Sequence, residues 1–189
     1  MSSIVISGDS SGTVSLTVPS VAGTNTATLP AATGTVMVSG NMPAFSAYAN
    51  ANQSISNTTY TKIQINTKIF DTASCFNNTG STVGGIPAYA FKPNVAGYYQ
   101  INAGINASAA ASGTFCFTAL YVNGTAVSLG SFASNNLTTG LISSNSFLVY
   151  LNGSSDYVEL YAYQNTGVSL QINGGATVCY FQAAMVRGA

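Results

Sequence analysis

Apolar residues recur at every second position in short runs, and nowhere keep the i, i+3, i+4, i+7 spacing of an amphipathic helix. In Tyr157-Val158-Glu159-Leu160-Tyr161-Ala162-Tyr163, one face carries Val158, Leu160 and Ala162. The other carries Tyr157, Glu159, Tyr161 and Tyr163. Turn signals punctuate the runs: Asn77-Asn78-Thr79-Gly80, Asn123-Gly124, Asn152-Gly153 and Asn173-Gly174-Gly175. Strands are expected over 44–49, 59–70, 88–91, 97–107, 114–122, 143–151, 157–164 and 177–186. About eight antiparallel strands bounded by such turns predict an all-β jelly-roll sandwich.

Residues 1–40 read differently. Their β runs are short: Ile4-Val5-Ile6, Val14-Ser15-Leu16-Thr17-Val18, Ala27-Thr28-Leu29 and Thr35-Val36-Met37-Val38. A segment of about 40 residues rarely folds without disulfides, metals or oligomerisation. The cysteines, Cys75, Cys116 and Cys179, all lie outside it. The segment is therefore expected to stay flexible or to pair its strands with other chains. Ser39-Gly40-Asn41-Met42-Pro43 reads as a linker, which divides the chain into 1–40, an N-terminal β segment, and 41–189, the jelly roll.

Charge narrows the chemistry. Four Lys+Arg and four Asp+Glu make 4% charged residues, where soluble domains carry about 25%. There is no His, so neither a His base nor a His-ligated metal is available. Lys62, Lys68, Lys92 and Arg187 are too few and too scattered to neutralise a phosphate backbone, so no nucleic-acid partner is expected. No apolar run approaches the ~18 residues of a membrane span. The N-terminus lacks the basic and apolar regions of a secretory signal, and synthesis in a cytoplasm is expected.

Candidate catalytic groups fare no better. The cysteines are far apart in sequence and are expected to be buried free thiols. Asp156 and Glu159, three apart in a strand, point to opposite faces and do not form an acid–base pair. Gly84-Gly85 and Gly174-Gly175 lack the spacing of a phosphate loop. A non-enzyme is expected, with no catalytic residues, cofactor or metal. Tyr157, Glu159, Tyr161 and Tyr163 present aromatic area that a subunit interface would cover, or that loops of the same chain would. Tyrosines beside Asn or Gln also suit carbohydrate binding.

Ordered along the chain are motifs that resemble one family. They are Phe76-Asn77-Asn78-Thr79-Gly80, Phe91-Lys92-Pro93-Asn94-Val95-Ala96-Gly97-Tyr98-Tyr99-Gln100-Ile101 and Leu120-Tyr121-Val122-Asn123-Gly124. Phe147-Leu148-Val149-Tyr150-Leu151, Asp156-Tyr157-Val158-Glu159-Leu160 and the closing Tyr180–Val186 complete the set. Together they resemble the trimeric jelly rolls of complement globular heads and tumour necrosis factors. The stretch from Ser7-Gly8-Asp9 through Val14-Ser15-Leu16-Thr17-Val18-Pro19 to Thr33-Gly34-Thr35-Val36 resembles a segment of bacteriophage fibre and other virion proteins.

The resemblances imply a homotrimer located in the virion. Its knob would stand on an intertwined β stalk or base, with Val14, Leu16, Val18, Leu29 and Val36 serving attachment. Its partners would be its own copies and capsid or tail proteins. A head fibre or capsid decoration protein is the expected placement. The alternatives are a tail or receptor-binding fibre that adheres to host surface carbohydrate, and a secreted cytokine-like trimeric ligand.

Overall fold

In the computed structural model the described residues are 3–21, 23–26, 28, 31, 36–108, 114–134 and 140–189. The chain separates into two compact units, Met1–Gly34 and Thr35–Ala189. In the first, β1 (Ser3–Ser7) and β2 (Thr13–Thr17) form an antiparallel hairpin closed by Gly8 N–H donating to Gly12 O at 2.9 Å. Ala27, Leu29 and Thr35 lie outside the described residues.

The second unit, the knob, is built of strands from end to end. Its first half holds β3 (Ala44–Tyr48), β4 (Gln53–Ile55), β5 (Thr61–Lys62), β6 (Thr67–Asp71), β7 (Ala90–Phe91) and β8 (Gly97–Ala107). The second half holds β9 (Phe115–Val122), β10 (Thr125–Leu129), β11 (Ala133–Ser134), β12 (Leu141–Leu151), β13 (Val158–Gln164), β14 (Leu170–Ile172) and β15 (Tyr180–Gly188). Among the described residues these make a seven-stranded sheet in the order β4-β14-β8-β15-β3-β6, with β12 on β8. A six-stranded sheet has the order β10-β9-β13-β5, with β11 on β9 and β7 on β13. Every pairing is antiparallel.

Alternation decides which side chains meet between the sheets. From β8 come Tyr99, Ile101, Ala103, Ile105 and Ala107; from β13 come Val158, Leu160 and Ala162. Phe45 sits at the centre, 4.4 Å from the Phe76 ring, 4.8 Å from Phe91 and 5.1 Å from Phe181. Polar groups caught inside are answered. Gln164 Nε2 donates to Val168 O at 2.8 Å, and its Oε1 accepts Thr166 N–H at 2.6 Å. Among the described residues no buried side-chain nitrogen or oxygen lacks a hydrogen bond.

The stretch expected as one strand over 59–70 is two, because the chain changes sheets there. Thr61–Lys62 pairs with β13, whereas Thr67–Asp71 pairs with β3. Ile63 N–H still donates to Leu160 O at 2.9 Å, then Ile65 N–H turns back onto Ile63 O at 3.0 Å. Ile63 and Ile65 are both wholly buried at this corner. At the expected linker, a 3-10 turn covers Ser39–Asn41, and Met37 and Met42 pack against the knob's core. Asn123-Gly124 is a two-residue hairpin turn with φ of 52° and 78°, the left-handed pair that matches strand twist. It makes β10 the partner of β9.

Candidate functional site

Three features stand outside the core: an ion-paired loop anchor, an aromatic layer, and a neutral sheet face. The cysteines do not add a fourth. Cys75, Cys116 and Cys179 are free and buried, and burial pushes the Cys116 and Cys179 thiols up to about 12 and raises Cys75 as well. Thiols held protonated are poor nucleophiles and poor metal ligands.

The loop anchor is Asp71, at the end of β6. Its Oδ1 accepts Cys75 N–H at 2.9 Å; its Oδ2 accepts Phe76 N–H at 3.1 Å and Lys68 Nζ at 2.9 Å. Burial alone would raise this carboxyl, but the Lys68 contact and the two backbone donors outweigh it, and the pKa falls below its usual 3.8. The turn so fixed delivers Phe76 to the ring cluster. A carboxyl with a lowered pKa adds stability that is present above its unfolded pKa and lost as pH falls through the folded one. Asp71→Asn should therefore lower stability at pH 7 by about 1–3 kcal/mol, the worth of hydrogen bonds to a charged group. It should also flatten the loss of stability below pH ~4. Thermal melts at pH 7 and pH 3 measure both.

The aromatic layer covers the outer face of the smaller sheet. On β13, Tyr161 and Tyr163 point outward and are half-buried; Tyr157, just before it, is half-buried too. Tyr163 lies 5.2 Å from Phe117 of β9, and Tyr161 lies 4.2 Å from Tyr121. Tyr60 folds over them, 4.9 Å from Tyr163 and 5.8 Å from Tyr121; Phe132 covers Phe117 at 4.4 Å. Glu159 is buried within this layer, its Oε1 accepting Lys62 Nζ at 2.5 Å. Lys62 also lies 5.7 Å above the Tyr161 ring. Burial raises the Tyr161 hydroxyl, as does the Glu159 charge, against the opposing pull of Lys62. Side chains of the same chain thus cover much of the tyrosine face. The covering of this face by Tyr60 and Phe132, which precede β5 and β11, went unnoticed in sequence because the alternation of β9 and β13 does not extend to them.

The neutral face is the outer side of the larger sheet. Ser46, Gln182, Asn102 and Ser146 stand opposite one another across β3, β15, β8 and β12. Gln182 Nε2 donates to Ser46 Oγ at 3.1 Å, and Ser146 Oγ donates to Asn102 Oδ1 at 3.1 Å. Beside this row lies a groove of about 510 Å³, lined by Asn102, Ser144, Ser146, Thr177, Tyr180 and Gln182. Gly104 gives the Tyr180 ring its seat, since a Cβ there would lie 2.6 Å from it. Toward β12, whose ladder partner is β8, the face turns apolar: Ile142, Leu148 and Tyr150 are exposed, with Tyr150 5.5 Å from Tyr98. Of the residues expected to serve attachment, Val14, Leu16, Val18 and Val36 are exposed, and Leu29 lies outside the described residues.

Two packed antiparallel sheets, with β12-β8-β15-β3 neighbours in one and β10-β9-β13 in the other, decide the fold. The fold is a jelly roll, and it is similar to that of solved tumour necrosis factors. Eiger, a TNF of S. frugiperda, is similar with a TM-score of 0.55 at 7% identity, covering 78% of this chain and 93% of that one. Murine APRIL is similar with a TM-score of 0.55 at 6% identity, covering 77% and 99%. PRD1 vertex protein P5 is similar with a TM-score of 0.53 at 15% identity, covering 77% and 97%. At these identities the likeness is one of fold. No family model and no curated protein sequence matches this jelly roll's chain. Among the described residues no helix is long and apolar enough to cross a membrane, and no three His, Cys, Asp or Glu side chains cluster as a metal site.

Proposed function

We propose that this chain is a non-enzymatic structural protein of a bacteriophage virion: a homotrimeric head fibre or capsid decoration protein that displays a jelly-roll knob. One observation carries the reading. The knob holds a complete core of its own, while the N-terminal unit leaves Ile4, Val5, Ile6, Val14, Leu16, Val18 and Val21 exposed. A self-sufficient head joined to a segment whose apolar side chains need partners is the anatomy of a displayed module. The shared fold with PRD1 vertex protein P5 supports a place on a particle. In a virion of the parent phage, antibody raised to the chain should decorate the capsid, with copies in proportion to capsid protein. A few copies confined to the tail would overturn the placement.

A second reading, a tail or receptor-binding fibre adhering to host glycan, is favoured by the groove beside Tyr180, whose lining is uncharged amide, hydroxyl and ring. Binding of purified protein to host-surface polysaccharide would select it.

For the homotrimer, the contact we favour is the β12 side of the larger sheet. Leu148, Tyr150 and Ile142 are exposed there, next to a row of neutral amides and hydroxyls that needs no counter-charge. Tyr157, Tyr161 and Tyr163 are the alternative contact. Leu148→Glu would bury an unpaired carboxylate at the favoured contact. Association should weaken by at least about tenfold, a 1.4 kcal/mol effect, in sedimentation equilibrium. If Leu148→Glu stays trimeric while Tyr163→Glu dissociates, the tyrosine face is the contact.

A further inference from the structure

The β1–β2 hairpin is two-faced. Its register sets Ile4 opposite Leu16 and Ile6 opposite Val14, so these four aliphatics share one face. The other face carries Val5 among Ser7, Thr13, Ser15 and Thr17. The four aliphatics are 58% to 65% exposed, far more than a core face tolerates. A lone two-stranded hairpin is marginal in water. Something must cover this face, and it must be apolar, because Asp9 at the turn is the one charged residue before Lys62.

Area selects the occupant. Each exposed aliphatic offers roughly 90 Å², from the usual burial energy and its coefficient per area. Two copies face to face would cover about 720 Å², short of the roughly 1,000 Å² a specific two-body contact needs; a third copy raises the apolar area pooled in one shared core to about 1,080 Å². The geometry points to a trimer core in which Ile4, Ile6, Val14 and Leu16 of one copy pack against the same residues of two others. This inference rests on the homotrimer reading and names the side chains nearest its axis. The hydroxyl-bearing face then points outward, where Ser and Thr hydrate without titrating.

Cross-linking of the full chain tests it. The native cysteines are buried, so the wild type should form no disulfide-linked dimer under mild oxidation. Ile6→Cys and Val14→Cys each place a thiol on the aliphatic face. Each should give covalent dimers on a non-reducing gel, with one chain of every three left single. Ser15→Cys, on the opposite face, should give none. Sedimentation of the wild type is read alongside. A trimer in which neither Ile6→Cys nor Val14→Cys cross-links, or in which Ser15→Cys cross-links as readily, overturns this inference alone. A wild-type monomer overturns the homotrimer reading with it.

Discussion

Removal of residues 1–34 should leave a folded knob and abolish its incorporation into virions. The knob's core is drawn from Met37 to Met185, and its hydrogen-bonded sheets begin at Ala44. All of that core's described residues lie beyond the first unit, so the thermal midpoint of the knob, compared at equal oligomeric state, should move by less than ~2 °C, the shift expected for under 1 kcal/mol in a domain of this size. Incorporation should fall to background when virions assemble with the truncated chain as their only source of the protein. A gel of purified particles reads it directly. Retained incorporation would place attachment on the knob; a knob that unfolds would make the first unit part of its stability.

Long strands were readable in the sequence because each carries enough alternation to commit a face to the core. Gly97–Ala107 was expected and found over the same residues, and Tyr157–Gln164 begins one residue later than expected, at Val158. The jelly roll itself was readable from those strands and from motif order, and the structural neighbours share it. What escaped were short pieces without a clean alternation of apolar and polar residues. Gln53–Ile55, Thr125–Leu129, Ala133–Ser134 and Leu170–Ile172 are strands whose partners, not their own composition, make them so. The corner at Ile63 and Ile65 escaped for the opposite reason. Two buried isoleucines at alternate positions look like one strand, although the backbone between them leaves one sheet for the other.

Charge placement was the other hidden layer. Lys62 and Lys68 look merely scattered in the sequence, yet they pair with Glu159 and Asp71, so half of the eight charged side chains are held in two ion pairs. Breaking a buried pair by removing one partner leaves an uncompensated charge. The few charges this chain keeps therefore fix structure: one pair sits in the aromatic layer, the other ties down the turn that leads to Phe76. Solvation is left to serine, threonine, asparagine and glutamine, as on the neutral row across β3, β15, β8 and β12.

Phe45→Ala should be the most damaging single substitution in the knob. Phe45 is 1% exposed and its ring touches three others, Phe76, Phe91 and Phe181, which come from a loop, the smaller sheet and the larger sheet. Truncation removes the one side chain that all three share, and the stiff strands around it cannot close on the space. Large-to-small changes of this kind cost about 3–5 kcal/mol, set against a total stability of roughly 5–15 kcal/mol. At about 2–4 °C per kcal/mol for a domain of this size, the midpoint should fall by roughly 6–20 °C. Ile69→Ala, at an exposed position on the neighbouring strand β6, should change it little. Because the stability of the proposed trimer would rise with concentration, both variants must be melted at the same protomer concentration as the wild type. A Phe45→Ala knob within ~2 °C of the wild type would mean that the Phe76, Phe91 and Phe181 rings repack without it. The centre of the core would then lie elsewhere between the sheets.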